Sequence, residues 1–302
     1  MRAMTLLSHL RRLRVAAPLA LLVAAACSAS SPAPRVEPPP AAAPAPASSG
    51  APGEVGPTGL LSEEDFKALH QLRADKAPPA RGQTVEVAGT KAYLSLPRDA
   101  KPPIAGVVVI HEWWGLNEHI KHWTDRLAED GYAALAVDLY GGKVATTPDD
   151  AMAAMKAVDE AKGIEVVRAA HRFLTTDARV LAPRTASIGW CFGGAWSLKL
   201  ALNEPELDAA VIYYGRLVTD PAQLKAIKAP VLGIFGNQDK GIPPEVVNDF
   251  DKALHDAGIE HEVLRYDADH AFANPSGERY DTKAAADAWE KARRFLAAKL
   301  KG

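Results

Sequence analysis

Continuous apolar runs alternate with helical patterns over most of the chain. The runs occupy residues 105–110, 132–140, 185–190, 209–214 and 229–235, and a further strand is expected at 261–267. Continuous hydrophobicity is typical of strands that are buried on both faces, as in a parallel sheet. Helical periodicity fills the stretches 118–129, 149–174, 194–203, 245–257 and 281–299. This alternation predicts an α/β domain, with helices on both faces of a mostly parallel central sheet.

The region before this domain divides into three segments. Residues 1–27 combine arginines, an apolar run of about a dozen residues and small residues before Cys27, which is typical of a signal peptide and too short to span a bilayer. Residues 28–58 are rich in Pro and Ala and are expected to form a disordered linker. Residues 59–80 are expected to add a short helical extension, starting near Ser62 and running over 60–76. The main domain then covers 81–302, and its first residues predict a hairpin around Gly89.

The end of the signal segment resembles a bacterial lipobox, in which Cys27 is lipidated. The position three residues before it is Ala24 rather than the usual Leu or Val. A plain signal peptide, cut at an Ala-x-Ala site, is the alternative. Either reading predicts an exported protein, and the first predicts a lipid-anchored one that faces the periplasm or the cell exterior.

Composition narrows the function classes. The formal net charge is only −2, which does not favour electrostatic binding to nucleic acid. The chain contains two cysteines, so Cys191 has no disulfide partner if Cys27 is lipidated or removed. An unpaired cysteine is ordinarily a small buried hydrophobic residue. The residues around Cys191 therefore determine whether it is structural or a nucleophile.

Cys191 lies in Gly189-Trp190-Cys191-Phe192-Gly193-Gly194, between a predicted strand and a predicted helix. That context is typical of a nucleophile elbow, G-x-S-x-G, with cysteine in place of serine. The turn is tight, so positions two before and two after the nucleophile favour glycine. The positive end of the following helix also favours a thiolate.

Two further residues stand where a catalytic triad of this fold requires them. Asp239 follows the strand at 229–235, and His270 follows the strand at 261–267. The order of nucleophile, acid and histidine is that of the α/β-hydrolases, and all three residues come just after a strand's carboxyl end. The sequence therefore predicts an α/β-hydrolase fold in which Cys191, Asp239 and His270 form the catalytic triad.

A metal site is not expected at His111-Glu112. The H-E-x-x-H zinc motif would require a second histidine at position 115, which is Gly115. Five other histidines fall on predicted helices or at a strand start, which favours solvated or packing roles: His119, His122, His171, His255 and His261.

Several motifs together resemble the dienelactone hydrolase family over about residues 81–300. They are His111-Glu112-Trp113-Trp114-Gly115, the Cys191 elbow, Tyr213-Tyr214-Gly215 and the loops of Asp239 and His270. The resemblance implies that Glu112 contacts the thiol and helps control its protonation. It also implies an oxyanion hole formed by the backbone N–H groups of Phe192 and Trp113; the first of these follows from elbow geometry as well.

The sequence departs from the family at two positions. Members that cleave dienelactone hold the substrate carboxylate with two arginines. One follows the Asp-Leu-Tyr of the second buried strand, where this chain has Gly141, Gly142 and Lys143, and the other follows the triad histidine, where it has Asn274. Lysine supplies a charge without the bidentate fork of arginine. The resemblance therefore extends to the fold and the triad but not to dienelactone as the substrate.

The expected activity is hydrolysis of carboxylic esters or lactones through a thioacyl-enzyme, with no cofactor and no metal. The expected partner is a small-molecule substrate. Two alternatives remain: a thioesterase or peptidase that uses the same site, and a non-catalytic exported binding protein on the same fold. These motifs do not specify an oligomeric state.

Overall fold

The computed structural model describes residues 60–73 and 76–302. The predicted signal sequence with Cys27 and the predicted linker 28–58 lie outside these residues. Within them, the strands are β1 (Gln83–Val87), β2 (Thr90–Ser95), β3 (Gly106–Ile110), β4 (Ala133–Val137), β5 (Thr185–Trp190), β6 (Ala209–Tyr213), β7 (Val231–Gly236) and β8 (His261–Tyr266). The helices are α1 (Glu63–Leu69), α2 (Glu118–Glu129), α3 (Pro148–Lys156), α4 (Glu160–Thr176), α5 (Phe192–Asn203), α6 (Pro221–Leu224), α7 (Pro244–Ala257) and α8 (Thr282–Leu300).

The strands form one sheet in the order β1-β2-β4-β3-β5-β6-β7-β8. Strands β3 to β8 pair in parallel, whereas β1 and β2 form the predicted antiparallel hairpin and join the sheet through β4. Every residue of β3, β4, β5, β6 and β7 is buried, which explains their unbroken hydrophobicity. Edge strand β8 is only partly buried and carries polar residues. The predicted α/β-hydrolase sheet is confirmed.

Two helical predictions were wrong in their extent. The stretch 149–174 forms two helices, because α3 ends at Lys156 and Asp159 begins α4 by accepting a hydrogen bond from the Lys162 N–H. The N-terminal helix, predicted over 60–76, begins after Ser62 as expected but ends at Leu69. In the described part of the chain, no helix is long and apolar enough to cross a bilayer.

Candidate active site

The turn after β5 holds Cys191 in a strained backbone conformation. Its φ and ψ are 53° and −114°, a region that non-glycine residues rarely adopt. A β-carbon on Gly189 would lie 2.1 Å from the carbonyl oxygen of Gly193, so a side chain at 189 would force the turn open. The structure thus contains the sharp strand-to-helix turn that the glycine spacing predicts, with Cys191 at the N-cap of α5.

Loops at the carboxyl ends of β5, β7 and β8 bring the three predicted residues together. The Nε2 of His270 lies 3.3 Å from the Sγ of Cys191, and its Nδ1 lies 2.6 Å from Oδ2 of Asp239. The other oxygen of Asp239 accepts hydrogen bonds from the N–H groups of Gly241 and Ile242, at 2.8 and 3.0 Å. The carboxylate is therefore fixed by its own loop while it orients the imidazole. The catalytic roles stay predictions at this point.

His270 and Asp239 stabilise each other's charged forms. Burial alone would lower the pKa of His270, but Asp239 and Cys191 outweigh it and hold that pKa well above its ordinary value. Burial likewise favours the neutral form of Asp239, yet the attraction of His270 keeps the pKa of this carboxyl below its ordinary value. The arrangement favours a protonated His270 that is bound to the Asp239 carboxylate and lies beside the sulfur of Cys191.

Glu112 lies in the same buried region but makes other contacts. Its carboxylate accepts hydrogen bonds from the Tyr214 hydroxyl, at 3.4 Å, and from the Asn274 side-chain amide. Asn274 is fixed in turn, because its oxygen accepts from the N–H and hydroxyl of Ser276. Asn274 thus positions Glu112. The hydrogen bonds described for the thiol go to histidines, so the role of Glu112 in thiol protonation stays a prediction.

Burial makes Glu112 a source of pH-dependent stability. Desolvation raises the pKa of this carboxyl from 4.5 to about 7, against the opposing effects of His270, Tyr214 and Asn274. Between these two values the folded protein binds a proton that the unfolded chain releases, so this group's contribution to stability falls as pH rises through that window.

We therefore expect Glu112→Gln, which resembles the neutral carboxyl, to gain stability relative to the wild type as pH rises from about 4.5 to 8. The gain in the free energy of unfolding should reach about 3 kcal/mol, by linkage from the shifted pKa. Urea unfolding of both proteins across this range measures it. Glu262→Gln, at the exposed position of β8, controls for loss of a negative charge. A difference between wild type and Glu112→Gln that stays constant with pH would contradict the expectation.

The N-terminal extension covers this site, which the sequence left open. Phe66 of α1 packs edge-on against Trp113, with ring centroids 5.1 Å apart, and its ring centroid lies 6.5 Å from that of His270. The segment is attached at both ends: the Leu60 N–H donates to Gly241 O at 3.5 Å and the Arg73 N–H donates to Ser276 O at 2.7 Å. Residues 60–73 are thus part of the wall of the site.

This extension contributes a residue that the sequence analysis missed. The Nε2 of His70 lies 3.6 Å from the Sγ of Cys191, on the same atom that His270 contacts. Burial, with the nearby charge of His270, lowers the pKa of His70 to about 3, so its imidazole is neutral. No motif surrounds His70, which lies inside the helix predicted over 60–76, so the sequence carries no local signal for this role.

An apolar cavity opens onto the thiol. Its walls include Leu61 and Phe66 of the extension together with Phe192, Trp196 and Ile242, and Cys191 and His270 form part of its surface. Phe192 is the first residue of α5, so its N–H has no partner within the helix and faces the turn of the nucleophile. Trp113 follows Glu112 in the turn after β3 and is fully buried. The oxyanion role of the two N–H groups stays a prediction.

The remaining predicted positions have structural partners. His111 is buried, where its Nδ1 lies 2.7 Å from Glu112 O and its Nε2 accepts from the Leu139 N–H at 3.1 Å. The backbone N–H of Gly142 donates to the Asp138 carboxylate. Gly142 and Asn274, where the family's carboxylate-binding arginines would stand, therefore serve loop structure and the orientation of Glu112.

Fold and elbow together define an α/β-hydrolase, and comparisons with known proteins narrow the class. The family model of the dienelactone hydrolase family matches residues 90–300. A relative from Aquifex aeolicus named carboxymethylenebutenolidase is 34% identical over 221 residues, covering 70% of this chain and 94% of that protein. A relative with the same name, from Escherichia coli K12, is 31% identical over 230 residues, covering 66% of this chain and 79% of that protein.

A solved structure agrees with these relatives. The dienelactone hydrolase-like promiscuous phosphotriesterase from metagenomic libraries superposes with a TM-score of 0.64 at 28% identity, covering 73% of this chain and 98% of that one. The chain belongs to the dienelactone hydrolase family. It is accordingly an ester or lactone hydrolase, and the resemblance noted in its motifs is confirmed.

Proposed function

We propose that this protein hydrolyses carboxylic esters or lactones through Cys191, His270 and Asp239, by way of a thioacyl-enzyme. The observation that supports this most directly is the continuous contact from Sγ through His270 to Asp239, with distances of 3.3 and 2.6 Å. Nucleophile, base and orienting acid within hydrogen-bond reach are the geometric signature of covalent catalysis.

In the first half of the reaction, His270 holds the thiol proton and the Cys191 thiolate attacks the substrate carbonyl carbon. The N–H groups of Phe192 and Trp113 would stabilise the oxyanion. Collapse of the tetrahedral intermediate breaks the ester C–O bond, and the leaving alkoxide takes the proton from His270. A thioester to Cys191 remains.

In the second half, neutral His270 accepts a proton from a water molecule, which attacks the thioester. Collapse of this intermediate releases the carboxylic acid product and restores the Cys191 thiolate beside a protonated His270. Asp239 stabilises the imidazolium in both halves and keeps the ring oriented without accepting the proton.

The cavity suggests the substrate class. Its walls are mainly apolar and include the rings of Phe66, Phe192 and Trp196. The two positions at which dienelactone-cleaving members have arginines hold Gly142 and Asn274. The apolar walls favour an ester or lactone with an apolar or aromatic acyl group, and Lys199 and Arg216 are the cations of the same cavity.

Export also remains a proposal. A signal-type segment at residues 1–27 supports secretion, and Cys27 supports a lipid anchor with residues 28–58 as a spacer. A membrane would then be a partner only through that anchor. Globomycin-sensitive processing at Cys27 in whole cells would test the anchor.

The full-length chain should hydrolyse short-chain nitrophenyl esters and simple lactones, and it should pass through an acylated intermediate. Rapid quenching in acid followed by peptide mass spectrometry should locate one acyl group on Cys191, because thioesters survive acid. A panel of thioesters and peptides separates the alternative activities of the same site. Absence of turnover across all of these classes would favour a binding protein and contradict the proposal.

A further inference from the structure

Three possible metal ligands converge inside the site. The Nε2 atoms of His70 and His270 lie 3.6 and 3.3 Å from the Sγ of Cys191, and the three atoms all lie within 4.8 Å of one another. The residues are buried, with exposed fractions of 6% for His70, 6% for Cys191 and 4% for His270. The proposed hydrolysis uses only two of them, which leaves His70 without an assigned role.

The ring of His70 has a fixed orientation. His70 follows the last residue of α1, and its backbone N–H donates to Lys67 O, so the carbonyl of Phe66 lacks its usual helical donor. The Nδ1 of His70 lies 2.7 Å from that carbonyl oxygen. Because a carbonyl only accepts, Nδ1 must carry the proton, and Nε2 directs its lone pair at Sγ. Capping the helix therefore fixes the ring, and it leaves on Nε2 a lone pair that can accept from the thiol or bind a cation.

His270 is held in the same way by a different group. Its Nδ1 is bound to the Asp239 carboxylate, and its Nε2 points at Sγ. Histidines that bind metals nearly always donate their other ring N–H to a carboxylate or a backbone carbonyl, which fixes the tautomer and aims the ligand atom. The site contains one example of each, and both ligand atoms are directed at the same sulfur.

We propose that His70, Cys191 and His270 bind a Zn²⁺ ion, and that this ion reversibly blocks the nucleophile. A tetrahedral zinc with ordinary Zn–S and Zn–N bonds places sulfur and nitrogen about 3.5 Å apart. The observed separations of 3.3 and 3.6 Å lie on either side of that value. The two nitrogens would need to be about 3.3 Å apart, so the imidazoles approach each other by at most about 1.5 Å.

The donor set determines which cation fits and what it does. Two imidazoles and a thiolate suit Zn²⁺ or Co²⁺ and disfavour Mg²⁺ and Ca²⁺. Binding forms one metal–sulfur and two metal–nitrogen bonds, and the Nε2 proton of His270 leaves to solvent. A water molecule can complete the tetrahedral coordination as the fourth ligand. A thiolate bound to the ion is no longer free to attack a carbonyl.

The binding test uses Co²⁺, whose tetrahedral thiolate complexes absorb in the near ultraviolet and visible. Anaerobic titration of the full-length chain should give one such complex per chain. The band should be absent in Cys191→Ala, which assigns it to this thiol rather than to Cys27. Competition of Zn²⁺ against a chromophoric chelator then gives the affinity.

His70 is the residue that distinguishes this site from a simple thiolate–imidazole pair. His70→Ala and His70→Gln should each weaken Zn²⁺ binding by at least about a hundredfold, because losing a ligand costs no less than losing a group that only supports one. His255→Ala, an exposed histidine on α7, should bind as the wild type does. Thermal unfolding checks that each variant folds. If the alanine variant disrupts α1, the Zn²⁺ affinity of the glutamine variant tests whether His70 is a ligand.

Zinc binding rests on the geometry alone, whereas inhibition also rests on the proposed function. Zn²⁺ should inhibit ester hydrolysis by the wild type, with a correspondingly higher inhibition constant in the His70 variants. Absence of a thiolate–Co²⁺ band, or Zn²⁺ affinities within about threefold of wild type in both folded His70 variants, would overturn the proposal. An inactive protein that still binds Zn²⁺ through His70 would contradict the hydrolase mechanism and leave the metal site intact.

Discussion

Cys191→Ala should lower kcat for nitrophenyl ester hydrolysis by about 10⁵ to 10⁶-fold, the scale of removing a nucleophile from a triad. The sulfur of Cys191 is the atom that forms the proposed thioester, so its removal abolishes that intermediate. Residual turnover would come from the oxyanion hole and from substrate binding alone. Steady-state kinetics of the purified full-length proteins, with matched unfolding curves, measure the effect.

The chain offers a matched control for this change. Cys27→Ala removes its other cysteine, and it should leave kcat within about twofold of the wild type because that residue is far from the elbow in sequence and in the predicted anchor. Full activity in folded Cys191→Ala would refute the thioacyl mechanism outright, whatever the behaviour of Cys27→Ala.

Asp239→Asn should lower kcat by about 10⁴-fold, as the corresponding change does in a serine triad. The asparagine oxygen can still accept from the Gly241 and Ile242 N–H groups, so the loop keeps its shape. Its amide nitrogen would then face Nδ1 of His270 and donate to it, which moves the ring proton to Nε2. Histidine in that tautomer cannot take a proton from the thiol or from water.

The neighbouring loop supplies the control. Asp267→Asn alters an exposed carboxylate that accepts a hydrogen bond from the Gln238 side chain, and it should change kcat by about twofold or less. Since Asp239→Asn acts on proton transfer, KM should change little. A loss of activity that is equal in both variants would point to loop structure rather than to the histidine tautomer.

Much of the fold can be predicted from the sequence, because parallel strands that are buried on both faces appear as continuous hydrophobic runs. Val107–Ile110 and the other central strands are hydrophobic without alternation, which few other elements of similar length are. The extents of helices were less well predicted. The break at Asp159 depends on a single side chain, which accepts a hydrogen bond from a backbone N–H and so starts a new helix. Hydrophobic periodicity over a long stretch of sequence does not detect such a local hydrogen bond.

The sequence by itself determined the elbow and its partners. The glycine spacing around Cys191 and the chain order of Asp239 and His270 follow from the connectivity of the fold, so both can be recognised in the sequence alone. The arrangement in space agrees with that order, although 79 residues separate the thiol from the histidine.

Only the tertiary structure decided what surrounds the thiol. His70 lies 121 residues from Cys191, directly after a seven-residue helix that is too short to be stable alone. Its position therefore depends on Phe66 packing against Trp113 and on the backbone hydrogen bonds of residues 60 and 73. Likewise, Glu112 binds Tyr214 and Asn274 because three separate loops meet there. Motifs encode local turns and chain order, whereas contacts between distant loops result from packing.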